Sequence, residues 1–311
     1  MSLSDGLEAL DRAFSGHGID EKSIISILGN SHADQRQSFR KRSDFFVDDE
    51  RRFEKWDDHH VKILKHEFMR FKNAVVMSAM HPWERDARLV KEALQKGSES
   101  YNMIVEIACT RSSNELLGAR KAYHSLFDQS IEEDVASHIN GKEKKLLVAL
   151  VSAYRYEGPK VKEDHAKSEA KTLAAAVKNA AKQNPLENDE VIRILSTRSK
   201  PHLKSVYKYY KDISGVHFDE ELDVDLILQA AVECLCTPHT YFTKVLDAAL
   251  KHDAHKHTKK ALTRVVVARA DTDIKEITAE YQKIYGVPLT QKIEETVNGS
   301  YKEFLLTLIA K

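Results

Sequence analysis

Ala13-Phe14-Ser15-Gly16-His17-Gly18-Ile19-Asp20-Glu21, running on into Ser23-Ile24-Ile25-Ser26-Ile27-Leu28, is the stretch around which the chain can be read. Leu3, Leu7, Leu10 and Phe14 recur at helical spacing before the glycines, and Ile24, Ile27 and Leu28 recur after them. A helix therefore arrives at this loop and another leaves it. Asp20 can cap the outgoing helix by offering a side-chain oxygen to free backbone N–H groups. Two glycines spaced by one residue let the backbone turn sharply, with carbonyl oxygens aimed outward. Such a loop can hold a hard cation if a carboxylate arrives from elsewhere in the fold. A plain interhelical turn has the same signature, and nine residues alone do not separate the two.

The rest of the chain repeats the layout. Ser26-Ile27-Leu28-Gly29-Asn30-Ser31, Glu106-Ile107-Ala108-Cys109-Thr110-Arg111-Ser112, Arg193-Ile194-Leu195-Ser196-Thr197-Arg198-Ser199 and Val265-Val266-Val267-Ala268-Arg269-Ala270 are apolar helices ending in small-polar turns. Ser31, Arg111, Arg198 and Arg269 fall at equivalent places, 80, 87 and 71 residues apart. A charged helix follows each, over 33–46, 114–126, 201–210 and 271–285. A strongly apolar helix comes later, over 71–80, 144–154, 226–235 and 301–309. Pro82, Gly158 and Pro238 open new units. The periodicity predicts an all-α chain of four units of about five helices each, near 1–81, 82–158, 159–237 and 238–311. Residues 48–52 read as a solvated extra turn, 178–189 as a polar loop, and 155–160 as a linker dividing the molecule into halves.

Basic and acidic residues number 48 each among 311, so no global field points to nucleic acid or to an anionic membrane. Attraction to an acidic surface must come from a local patch or a bound cation. Three cysteines, none in a Cys-x-x-Cys pair, suit a reducing, cytoplasmic setting. No signal peptide is expected, and no stretch approaches the ~20 apolar residues needed to cross a bilayer.

Four helical repeats with Gly-x-Gly-x-Asp-Glu between the first two helices resemble the annexin family over essentially the whole chain. Pro82-Trp83-Glu84-Arg85-Asp86-Ala87, Ile107-Ala108-Cys109-Thr110-Arg111-Ser112 and Val151-Ser152-Ala153-Tyr154-Arg155-Tyr156-Glu157-Gly158 look like plant annexins in particular. The resemblance implies a curved α-helical disc of four annexin repeats whose convex face carries Ca²⁺. Loop carbonyls and one acid hold the ion, and lipid phosphate completes its shell. It also implies peripheral, calcium-dependent binding to anionic phospholipid membranes, where oligomers can form. Bound calcium would supply the positive charge that a neutral chain lacks.

Carried over position by position, the carbonyls of Phe14, Gly16 and Gly18 are the first-repeat ligands. Alignment on Phe71 places His66 at the carboxylate position, with Glu67 beside it. Either Glu67 serves through a one-residue shift or the site is crippled; Glu67 is taken as the acid. His17 and Ile19, at the loop tip, are candidate membrane contacts. The other repeats depart from the pattern: His138 and Thr296 stand where an acid belongs, and 178–189 has no glycine pair. In the fourth repeat Lys251-His252-Asp253-Ala254-His255-Lys256-His257-Thr258-Lys259-Lys260 replaces the glycine loop. Lys251, Lys256, Lys259 and Lys260 could meet lipid phosphates without calcium, each contributing about 1 kcal/mol near an anionic surface. Protonation of His252, His255 and His257 would add to this, and a transition-metal site is a further use of the same rings.

Other signals are weaker. Cys109 and Cys234 end apolar helices and read as small hydrophobes, with a redox role beside Met103 as the alternative. Ile192-Arg193-Ile194 matches a tripeptide proposed for actin binding in plant annexins, and also fits core packing. Arg111, Arg198 and Arg269 suit structural ion pairs; annexin charges near a central channel leave ion conductance open. No phosphate loop, Gly-x-Ser-x-Gly elbow or His-Glu-x-x-His occurs, so an enzyme is not expected. The competing class is a calcium-independent helical interaction scaffold.

Overall fold

The computed structural model describes residues 6, 8–11, 21–50, 53–58, 61, 70–152, 154–222, 225–297 and 299–311. Its described elements are helices apart from one short hairpin and 3₁₀ turns. The chain divides into two compact units, Met1–Pro82 with Phe242–Lys311, and Trp83–Tyr241. These are not the N- and C-terminal halves expected from the 155–160 linker, which lies inside the second unit. Side-chain ties explain why it does not act as a divide. Arg155 donates to the carbonyls of Arg198 and Leu195 at 2.5 and 2.6 Å, and Glu157 accepts from Ser113 N at 2.7 Å.

In the first unit, α1 (Glu21–Asn30) and α2 (Ala33–Arg42) lead into β1 (Phe46–Asp49) and β2 (Phe53–Trp56). The strands pair antiparallel, with Phe46 opposite Trp56 and Asp48 opposite Glu54. Cross-strand partners share a face, and on this one Phe46, Glu54 and Trp56 are buried while Asp48 is exposed. Phe46 and Trp56 rings lie 4.3 Å apart, Phe39 of α2 meets Phe46 edge-on, and Arg40 reaches buried Glu54 at 3.1 Å. Of the solvated extra turn expected over 48–52, Asp48 and Asp49 belong to β1, Asp48 and Glu50 are exposed, and 51 and 52 lie outside the described residues.

The unit continues with α3 (Arg70–Ala79); after the intervening second unit it resumes along α13 (Pro238–Ala249) with α14 (Lys256–Arg269), α15 (Ile274–Tyr285), α16 (Leu289–Thr296) and α17 (Gly299–Ile309). α1 and α17 run in the same direction. Ser300 donates to Glu21 at their starts, and at their ends Gly29 lies against Thr307, where an added Cβ would come within 2.5 Å of Thr307 Cγ2. α14 runs the same way, since Thr263 and Tyr301 share a 2.5 Å hydrogen bond and Lys311 approaches Asp271 at 3.5 Å. Phe71, at the start of α3, packs against Phe304 at 5.8 Å between centroids.

The second unit holds α4 (Pro82–Lys96, its first residue excepted), α5 (Tyr101–Thr110), α6 (Ser113–Phe127), α7 (Ile131–His138) and α8 (Lys144–Ser152). The 155–160 linker leads on to α9 (Glu163–Lys178), α10 (Asp189–Thr197), α11 (Lys200–Ser214) and α12 (Leu226–Cys236). α5 and α12 are apolar on nearly every face and pack on one another at the centre, as helices without a polar face must. α6 starts on a capping box, Ser112 accepting from Glu115 N and Glu115 accepting from Ser112 N, a strong start signal.

Candidate functional site

Phe14, Gly16, His17, Gly18, Ile19, His66 and Glu67 lie outside the described residues. What is described is the frame on either side. The described residues resume in α1 at Glu21 and in α3 at Arg70, three residues after Glu67. Through α17 the two starts come to one end of the unit. Glu21 meets Ser300, and Phe71 meets Phe304 roughly one helical turn further along. Glu21 and Phe71 therefore lie toward the same end of the unit.

α14 starts at that end as well. Seven residues precede its Thr263–Tyr301 contact, which puts Lys256 about 10 Å beyond Tyr301 along the axis. The loop before it exposes Lys251, His252, His255 and Lys256, with Lys260 exposed on the next turn. Lys259 is half-buried and donates to the His252 carbonyl at 3.0 Å, closing the loop.

The acid positions assigned in the second and fourth repeats, His138 and Thr296, carry no carboxylate. His138 Nδ1 turns back to Asp134, 2.9 Å from its carbonyl. Thr296 donates to Lys292 O at 2.7 Å, and its neighbour Glu295 accepts from Gln291 at 3.0 Å. Gly97 keeps the left-handed backbone of a loop glycine, at φ +88°, but leads into a 3₁₀ turn over Ser98–Ser100. Asp225 caps α12 and lies 3.4 Å from Lys142, while Asp189 pairs with Lys145. Among the described residues no three His, Cys, Asp or Glu side chains converge to hold a metal ion, so His252, His255 and His257 form no transition-metal site.

The repeated arginines are structural. Arg111 grips Asp86 at 2.6 and 2.8 Å, Arg198 reaches Glu169 at 2.6 Å, and Arg269 holds Asp273 at 2.7 and 2.8 Å. The partners Asp86 and Glu169 come from the first helix of the same repeat, acids that periodicity alone did not single out. Burial would raise the Glu169 carboxyl, but hydrogen bonds from Arg198, His202 and Arg193 outweigh it and hold it below the usual range. Burial also works against the Asp134 carboxylate, and hydrogen bonds from Lys91 and Tyr123 keep it ionised.

Burial pushes the Cys109 thiol up to about 11 despite the nearby charges of Arg155 and Lys200, and Cys234 is equally enclosed. Both match the small-hydrophobe reading. Ile192 and Ile194 are buried and Arg193 is paired with Glu190 and Glu169, so the tripeptide offers no docking face. Among the described residues no helix is long and apolar enough to cross a membrane.

The annexin family model matches residues 85–150 and 241–308. The chain is 56% identical to Annexin D4 of Arabidopsis thaliana over 318 residues, covering 100% of this chain and 99% of that protein. It is 40% identical to Annexin-like protein RJ4 of Fragaria ananassa, covering 98% and 94%. Among solved structures, annexin III superposes with a TM-score of 0.83 at 27% identity, covering 100% of this chain and 94% of that one.

Proposed function

The chain belongs to the annexin family, and from that premise we propose that it binds anionic phospholipid membranes peripherally, with calcium bridging its first repeat to lipid phosphate. The family is one of calcium-dependent phospholipid binders. The observation that carries the reading to particular residues is that Glu21 and Phe71 lie toward one end of the unit, Glu21 against Ser300 and Phe71 against Phe304. That arrangement supports the carbonyls of Phe14, Gly16 and Gly18 and the carboxylate of Glu67 as one oxygen-rich set suited to a hard cation. Calcium, when bound, supplies positive charge to a chain whose basic and acidic residues balance at 48 each. His17 and Ile19 are the candidate lipid contacts of this repeat.

The described loops of the other repeats do not fit calcium, so the ion acts through the first of four repeats near 1–81, 82–158, 159–237 and 238–311. The activity is binding rather than catalysis, in the cytoplasm and at its membrane surfaces. Calorimetric titration of calcium in the presence of phosphatidylserine vesicles tests the assignment. Glu67→Gln is expected to weaken calcium binding at least tenfold, and an unchanged titration overturns Glu67 as the ligand.

A further inference from the structure

We propose that the cavity between the ends of α1, α14 and α17 and the starts of α2 and α15 binds a small, soluble, hydroxyl-bearing phosphomonoester, with Lys311 as its buried cation. The cavity lies in the first unit, at the ends of these helices away from Glu21 and Ser300. It involves neither the ion nor the membrane of the preceding reading. Its volume of about 380 Å³ exceeds what a phosphate group fills and is within the usual range of small-molecule sites. A compact organic body therefore fits beside the anion.

The floor is built around Asp271. Arg36 of α2 pairs with one oxygen of its carboxylate, and the Lys311 ammonium lies 3.5 Å from the other. Both cations also donate to the Ser31 carbonyl, Arg36 at 2.6 Å. Two cations thus share one carboxylate and one carbonyl, which leaves positive charge in excess when Lys311 is protonated. The Lys311 side chain is only 5% exposed. Of its three N–H donors, one goes to Ser31, and Asp271 stands at the outer limit of hydrogen-bond distance. Burial and the neighbouring Arg36 push the amine down to about 7, so the protein alone holds this charge at a cost. An oxyanion in the cavity takes the remaining donor and favours the protonated form.

Two helix starts supply further donors. Ala33 and Asp34 open α2, Ile274, Lys275 and Glu276 open α15, and all five line the cavity. First-turn N–H groups have no partner within their own helix. Asp273 does not cap α15, because Arg269 holds its carboxylate. Helix starts favour phosphate, and here they add to a buried ammonium rather than acting alone. Donors from two helices and a side chain suit a tetrahedral oxyanion better than a planar carboxylate. The acids select the rest of the ligand. Asp34 and Glu276 are exposed, and their carboxylates accept from hydroxyl groups but repel a second anionic group. A monophosphate carrying neutral hydroxyls meets both demands, and a polyphosphate does not.

The experiment is calorimetric titration of the full chain in EGTA with glucose 6-phosphate, inorganic phosphate and glucose, at one pH and ionic strength. Glucose 6-phosphate is expected to bind saturably, inorganic phosphate roughly tenfold more weakly, and glucose not at all. Lys311→Met should weaken glucose 6-phosphate roughly tenfold or more by removing a charge-assisted bond, with a thermal melt showing that the variant is folded. The pair Asp34→Ala with Glu276→Ala, both at exposed positions, should bring glucose 6-phosphate and inorganic phosphate to similar affinity. No saturable binding of glucose 6-phosphate, or binding that Lys311→Met leaves unchanged, overturns the proposal. Equal affinity of wild type for the two phosphates overturns the hydroxyl-bearing ligand. Phosphatidic acid vesicles carry the same phosphomonoester on a membrane; if they displace glucose 6-phosphate, the ligand is a lipid headgroup and the soluble assignment is overturned. Glu67→Gln should leave these titrations unchanged, so this site and the calcium site fail independently.

Discussion

Phe71 meets Phe304 edge-on, their ring centroids 5.8 Å apart and their planes at 87°. The contact ties α3 to α17 within the first unit. Phe304 is fully buried. Phe304→Ala is expected to destabilise the protein by about 3–5 kcal/mol through lost apolar burial and a residual cavity. Urea unfolding followed by circular dichroism measures this, and a loss below about 1 kcal/mol would mean the contact does not hold the frame.

Gly29 sets the other end of the same packing. A methyl group there would lie 2.5 Å from Thr307 Cγ2 and 3.0 Å from its Cβ. Because Thr307 is β-branched and cannot swing aside, Gly29→Ala should lower stability by about 1–3 kcal/mol despite the better helix propensity of alanine. The double variant Gly29→Ala with Thr307→Ala should recover most of the loss in the same unfolding assay.

Glu169 is the acid hub of the third repeat, joined to Arg193, Arg198 and His202. Its carboxyl is held below its ordinary value, so its stabilising contribution is present above the unfolded-state value. That contribution is lost as pH falls through the lower, folded-state value. Glu169→Gln should cost about 1–2 kcal/mol near neutral pH by weakening the charge-assisted hydrogen bonds to Arg193 and Arg198, whose partly exposed side chains remain solvated. The difference from wild type should shrink as acid protonates Glu169. Chemical denaturation at a series of pH values from neutral to acid checks the sign; a difference that grows with acid would contradict it.

The cysteines should be inert. Burial pushes the thiols of Cys109 and Cys236 up to about 11 and about 12, and Cys234 is enclosed beside them in α12. Native protein at about pH 7.5 should show no fast reaction with a thiol reagent, and full reaction only after denaturation. A rapidly labelled native thiol would restore the redox alternative.

Helix periodicity made most of this fold legible, because apolar faces recur over ten or more residues and the repeats reinforce one another. The hairpin at 46–56 was not legible. Its strands are four residues each, too short for alternation to register, and the charged 48–52 stretch conceals that Phe46, Glu54 and Trp56 face inward. The ion-pair role of Arg111 and Arg198 could be read from their spacing, but the identity of Asp86 and Glu169 required the fold. In the site, the loss of acids at His138 and Thr296 was visible in sequence, and the structure adds that both side chains are satisfied within their own helices. The calcium ligands of the first repeat were named from residues 14–18 and 67, which fall outside the described residues, so their assignment rests on the resemblance and on the helices that flank them.

The most direct test is sedimentation with phosphatidylserine vesicles, with and without millimolar Ca²⁺, of wild type and Glu67→Gln. Calcium should increase pelleting of wild type, and Glu67→Gln should lose that increment while keeping whatever binds in EGTA. If wild type pellets no more with calcium than without, the bridging account is wrong; if it stays in the supernatant throughout, the chain is an interaction scaffold and not a membrane-binding protein.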